Sequence, residues 1–118
     1  MKKLLLITAL FITFITNAQH VSNLGGVWEA TDNSTTYLTI ITVDPEHKVT
    51  SVHNVSFDPA KEFYEHILGQ AYDYLISTHY IKRNDYTIKS KLISIDKFTM
   101  KRVITGSANM TIFYKKII

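Results

Sequence analysis

The sequence predicts a mainly β protein, a small antiparallel up-and-down β-barrel of about eight strands. Two observations carry that expectation. From Gly26 onward the chain is a succession of short runs rich in Thr, Ile, Val, Tyr and Phe, residues that suit a pleated, half-buried surface. Between the runs, at a spacing of roughly ten residues, stand clusters of Asp, Asn, Pro, Gly and Ser that favour turns. A meander of this kind closes into a barrel or folds into a sandwich, and closure removes the exposed edges on which a single sheet aggregates.

The predicted strands cover 27–31, 37–43, 48–57, 62–68, 74–82, 86–95, 98–105 and 110–117. The first holds the only tryptophan, Trp28, behind the pair Gly25 and Gly26. In the sixth, Tyr86, Ile88, Ser90 and Leu92 share one face and Thr87, Lys89 and Lys91 the other, so the first set faces the core. The seventh, where Met100 and Ile104 flank Arg102, and the eighth, where Met110, Ile112 and Tyr114 oppose Thr111, Phe113 and Lys115, have no cleanly polar face. The fourth run has a competing reading. Asp58 followed by Pro59 is a helix start, and Phe63, Tyr64, Ile67, Leu68 and Ala71 fall on one face of a helix, so one short helix near 58–68 stands beside the strand. Gly69 counts against it, costing a helix about 1 kcal/mol relative to Ala.

The chain opens with Lys2 and Lys3, an apolar run over 4–15 and the small or polar residues Thr16, Asn17 and Ala18, the three-part pattern of a secretory signal peptide. The expectation is export, to the periplasm or the medium, with a signal peptide over 1–18 and a single barrel domain over 19–118. The apolar run falls short of the roughly 20 residues that span a bilayer, so no stable membrane anchor is expected in the processed chain. No cysteine is present, so neither a disulfide nor a cysteine-borne lipid supports a domain of this size, and burial must do so alone. Of 13 basic residues two lie in the leader, and the rest nearly balance 10 acidic ones. A nucleic-acid partner is therefore not expected.

Gly26, Val27 and Trp28 at the first strand of an exported meander resemble the start of the calycin group, which includes lipocalins and avidin-type barrels. The runs 84–88, 92–100 and 109–116, with the Asn17, Ala18, Gln19 ending of the leader, are similar to small exported lipocalin-like proteins of Bacteroidetes-type bacteria. The resemblance implies that Trp28 closes one barrel end against a basic side chain, Arg102 or Lys115. It also implies that a small apolar or amphipathic ligand binds in the open end, with Trp28, Tyr86, Ile88, Leu92 and Tyr114 as ligand-binding residues. The departures are a short chain, short loops and a single tryptophan, so side chains could fill a barrel this small. The alternative is a protein-binding barrel such as a secreted hydrolase inhibitor. No catalytic motif is present, and no enzyme activity and no cofactor are expected.

One sharper arrangement depends on register. His53, His66 and His79 are spaced by thirteen residues. If the intervening turns centre at 59/60 and 72/73, the three imidazoles lie side by side on three adjacent strands, as a three-nitrogen zinc or copper site requires. A shift of one residue separates them, leaving three unrelated histidines. Glu62 and Glu65, without a nucleophile beside them, read as solvated surface. The six tyrosines after residue 60 read as cross-strand packing, with a ligand pocket or binding face as the other use. The triplets beginning at Asn33, Asn54 and Asn109 match the N-glycosylation pattern, which a bacterial chain leaves unused.

Overall fold

Gly26–Ala30 (β1), Leu38–Val43 (β2), Val49–Val55 (β3), Phe63–Gln70 (β4), Tyr74–Ile81 (β5), Tyr86–Asp96 (β6), Thr99–Thr105 (β7) and Met110–Lys116 (β8) form one closed barrel. Each strand pairs antiparallel with the next, and β8 returns to β1 with Trp28 opposite Lys116. The structure, a computed structural model, describes residues 20–32, 35–81, 85–106 and 109–118. The signal peptide expected over 1–18 and the side chain of Tyr86 lie outside the described residues, as does Asn33. Among the described residues no helix is long and apolar enough to cross a membrane. The fold matches the sequence expectation, each strand ending within one or two residues of its predicted bound.

The helix start at Asp58 is real but short. The Asp58 carboxylate accepts the Ala60 N–H and Pro59 opens the turn, yet only Pro59–Lys61 is helical, as one 3-10 turn. Phe63, Glu65 and Ile67 then alternate inward with Tyr64 and His66 outward, so the strand period prevails over the helical one.

Eight strands enclose a lumen just wide enough for side chains to fill, and here it is filled in layers. At one end a 3-10 turn, Val21–Leu24, inserts Val21 and Leu24 beneath Trp28, Ile41, Val49, Leu75, Leu92 and Met100. Trp28 Nε1 donates to the Leu24 carbonyl at 2.6 Å, and Val21 N donates to the Tyr72 carbonyl, which ties the plug to the β4–β5 turn. Gly26 sits at φ +138°, where a Cβ would meet the Ile118 carbonyl oxygen at 2.7 Å, so glycine is required for the chain to enter β1 beside the C-terminus.

The basic side chain against Trp28 is neither Arg102 nor Lys115. It is Lys116, whose Nζ lies 5.1 Å from the indole centroid and donates to the Asn23 carbonyl at 2.9 Å. Alternation explains the correction. Tyr114 and Lys116 share the inward parity of β8 and Lys115 does not, while Arg102 lies further along the lumen and pairs elsewhere.

Candidate ligand site at the open end

Above the plug the lumen changes character. Thr39, Asn54, Glu65, Ser77, Ser90 and Arg102 all point inward and are buried, forming a polar belt around the middle of the barrel. Glu65 and Arg102, each only 7 % exposed, reach across the lumen in a bidentate pair, Oε1 to one guanidinium nitrogen at 2.6 Å and Oε2 to the other at 2.8 Å. Asn54 Nδ2 donates to Glu65 Oε2 and Ser77 Oγ to Oε1, both at 2.8 Å; Arg102 donates to Ser90 Oγ at 2.9 Å, and Thr39 Oγ1 to Asn54 Oδ1 at 2.8 Å. Burial pushes the Glu65 carboxyl up, but the Arg102 hydrogen bonds and charge, with Asn54 and Ser77, outweigh it and hold the group below its ordinary value. Burial disfavours the Arg102 cation, and the Glu65 hydrogen bonds and charge reverse that effect, so the guanidinium stays charged.

Glu65 is thus a buried ion-pair partner and not solvated surface, in contrast to the sequence expectation. The signal was present in the period: Glu65 stands between Phe63 and Ile67 on one face of β4, and Arg102 between Met100 and Ile104 on one face of β7. A charge at an inward position of each of two strands is most cheaply accommodated by pairing the two.

Over this belt lies an open-mouthed cavity of about 120 Å³. Phe63, Ile88, Ile104 and Ile112 form its apolar walls, Tyr37, His79 and Thr35 stand around it, and Arg102, Glu65 and Tyr114 lie at its base. Of the residues expected at a ligand, the structure places Ile88 and Tyr114 in this lining. Leu92 and Trp28 lie in the plug, with no exposed surface. His79 stacks on Phe63 with ring centroids 3.9 Å apart; burial lowers its pKa from the ordinary 6.5, and the nearby Glu65 charge offsets part of that. A wider cleft of about 410 Å³ is lined by the β2–β3 turn at 46–48, the end of β4 at 67–71, and His20 and Val21 at the plug. Beside it β3 and β4 stop pairing after Val52 and Glu65, and the Gln70 carboxamide bridges to the Val49 backbone at 2.8 and 2.6 Å. Its rim is made of exposed side chains, Glu46, His47, Lys48 and Leu68 among them, so we regard it as surface rather than as the candidate site.

The three histidines do not align. His53 faces Tyr64, on which it stacks at 4.1 Å, and His66 faces Thr78. The β4–β5 turn does centre between Tyr72 and Asp73, since Gln70 pairs with Leu75, but a bulge between Ile67 and Gly69 moves the register by one before His66 is reached. His79 is turned inward while His53 and His66 point outward. Among the described residues no group of three or more His, Cys, Asp or Glu is placed to hold a metal ion.

Both shifted groups bear on acid stability. His79 has a folded pKa below its unfolded one, so the unfolded chain takes up its proton first and stability falls as pH drops through about 6.5. Glu65, also lowered, contributes stability that is complete above its unfolded value near 4.5 and is lost as pH falls through the folded value. Thermal unfolding from pH 8 to pH 3 is expected to show a flat melting temperature above pH 7 and a decline in two stages below. A melting temperature that rises between pH 7 and pH 5 would contradict the assignment.

The fold and lumen define a class: a closed eight-stranded up-and-down antiparallel barrel, consistent with a calycin or lipocalin-like architecture, plugged at one end and open at the other. Comparison of the chain with protein-family models, with curated proteins and with solved structures finds no significant match in any of the three.

Proposed function

We propose that this chain is an exported, non-enzymatic barrel that binds a small apolar or amphipathic molecule in its open end. The observation that carries the proposal is the cavity of about 120 Å³ with Phe63, Ile88, Ile104 and Ile112 as walls, above a base formed by the Glu65–Arg102 ion pair. A cavity of about 150 Å³ lined by apolar side chains takes a benzene molecule, so this one suits a single ring or a short alkyl chain, and a longer ligand would protrude through the mouth. The non-enzymatic reading is supported by the state of the one carboxylate buried among the described residues: Glu65 already accepts hydrogen bonds from both terminal nitrogens of Arg102, from Asn54 and from Ser77, and is not free to move a proton. The test is thermal unfolding with millimolar toluene, indole or benzyl alcohol. A saturable rise in melting temperature follows from binding to the folded state alone. Ile88→Trp, which fills the cavity from a half-buried wall position, is expected to abolish the rise while leaving the protein folded.

A second reading rests on the outer surface. Pockets for drug-sized ligands begin near 300 Å³, above this cavity, while Tyr64 is 65 % and Phe57 fully exposed on the outside. A protein-binding role as a hydrolase inhibitor would use that face, and inhibition assays against lysozyme and serine proteases, with Tyr64→Ser and Phe57→Ser as controls, test it.

A further inference from the structure

The charges of the chain divide along the barrel. From residue 20 to Gln70 the only lysines or arginines are Lys48 and Lys61, while of the 10 acidic residues only Asp73, Asp85 and Asp96 lie beyond Gln70. Strands β5 to β8 are therefore the basic half, and alternation sets their lysines on the outer wall. Lys89 and Lys91 alternate with the buried Ser90 and Leu92 on β6, and Lys101 stands between the buried Met100 and Arg102 on β7. Register lines these residues up in rows across the wall. Tyr74, Ile93, Lys101 and Phe113 are neighbours on four successive strands. The next row is Ile76, Lys91 and Val103, and beyond it Thr78, Lys89 and Thr105. The three carboxylates of this half stay out of the rows, at the turns where the strands end. Among the described residues the ion pairs are His53 with Glu62 and Arg102 with Glu65, so Lys89, Lys91 and Lys101 keep their charge for a partner. Lys91 Nζ lies 4.2 Å from the Tyr74 ring centroid, a contact that steadies the ammonium without neutralising it. Beside it a groove of about 240 Å³ is lined by Ile76, Val103, Thr105 and the two lysines of β6.

We propose that the outer wall of β5 to β8 is a reversible docking face for an anionic lipid surface, with Lys89, Lys91 and Lys101 at the lipid phosphates and Ile76, Val103 and Phe113 toward the acyl boundary. The wall lies outside the lumen, so this inference stands apart from the ligand-binding reading. Two features select the partner. The lysines are interleaved with apolar side chains, and such a mixture suits the boundary between headgroups and hydrocarbon. A purely acidic chain or a nucleic acid would pair with the charges and leave Phe113, which is 45 % exposed, and the groove uncovered. A second copy offers no matching face, because the acidic residues of its other half lie mostly in turns, Asp44, Glu46 and Asp58 among them. Each lysine brought to an anionic bilayer is worth about fivefold in partition, so three give roughly a hundredfold, an attachment that salt weakens.

The test is co-sedimentation of residues 20–118 with vesicles. The eight strands and the plug close on one another within that span, and its use keeps the apolar run over 4–15 from entering the bilayer itself. Vesicles of equal parts phosphatidylcholine and phosphatidylglycerol are expected to take up the protein roughly a hundredfold better than phosphatidylcholine alone, and added salt to release it. Lys89→Gln, Lys91→Gln and Lys101→Gln together should remove that advantage, whereas Lys48→Gln with Lys61→Gln, on the acidic half, should leave it unchanged. Phe113→Ser should lower the partition severalfold at unchanged charge, a response that a purely ionic contact would not give. If the triple variant melts early, the single changes Lys89→Gln and Lys91→Gln, both at exposed positions, carry the comparison at about fivefold each. Equal or absent partition on the two vesicle types, or lysine variants that bind like wild type, would overturn the inference. Binding to polyglutamate with none to the mixed vesicles would overturn it too, and would make the wall a face for an acidic protein.

Discussion

Glu65→Gln is expected to lower the unfolding free energy by about 3–5 kcal/mol, the usual cost of leaving one member of a buried ion pair without its counter-charge. The substitution keeps the shape but turns one acceptor oxygen into an amide donor facing Arg102, so the loss combines the missing charge with a donor set against a donor. Arg102, 7 % exposed, would then hold an uncompensated cation in the lumen. Arg102→Met alone should cost a similar amount by stranding the carboxylate. The double variant should cost less than the two single changes taken together, because the stranded charge is gone. It should still fall short of wild type, because Asn54, Ser77 and Ser90 lose partners. Denaturant unfolding of the four proteins gives the cycle directly. Additive losses would mean that the two groups do not interact, and the lower of the two acid stages described above should vanish in Glu65→Gln.

The second large effect lies at the other end. Trp28 has no exposed surface and packs on Leu24, with its N–H on the Leu24 carbonyl and Lys116 over its ring. Trp28→Ala removes most of the closing plug and is expected to cost about 3–5 kcal/mol, within the range for large aromatic residues cut to Ala in a core. Trp28→Phe keeps much of the volume and loses the hydrogen bond, so its cost should be about 1–2 kcal/mol. Equal losses for the two variants would show that the indole N–H, rather than packing, carries the contribution. Neither change touches the open-end cavity, so ligand-induced stabilisation should survive wherever the variant folds.

The strands were legible because composition and period agreed in nearly every one. Ile88, Ser90 and Leu92 face inward as their alternation with Thr87, Lys89 and Lys91 requires. The belt was hidden by residue type. Glu65, Arg102, Asn54 and Ser77 occupy inward positions on four strands, but a polar residue in a mixed pattern marks a core only when its partner strand is known. The histidine alignment fails at both turns. The β3–β4 turn centres between Asp58 and Pro59, one residue before the expected place, which sets His53 opposite Tyr64; the expected β4–β5 turn forms, but a bulged residue past it sets His66 opposite Thr78. Lys116 was missed as the partner of Trp28 because the last strand carries apolar residues on both faces, and its inward parity emerges only from pairing with β1.

The measurement that tests the division of the barrel into a filled half and an open half is a crystal structure of the protein under xenon pressure. Xenon enters apolar cavities that are left empty by side chains. The expected result is a xenon atom above Arg102, in contact with Phe63, Ile88, Ile104 and Ile112, and none beside Trp28, Leu75 or Leu92. Xenon in the plug, or a lumen that takes up none above the ion pair, would contradict the placement of a ligand site at the open end.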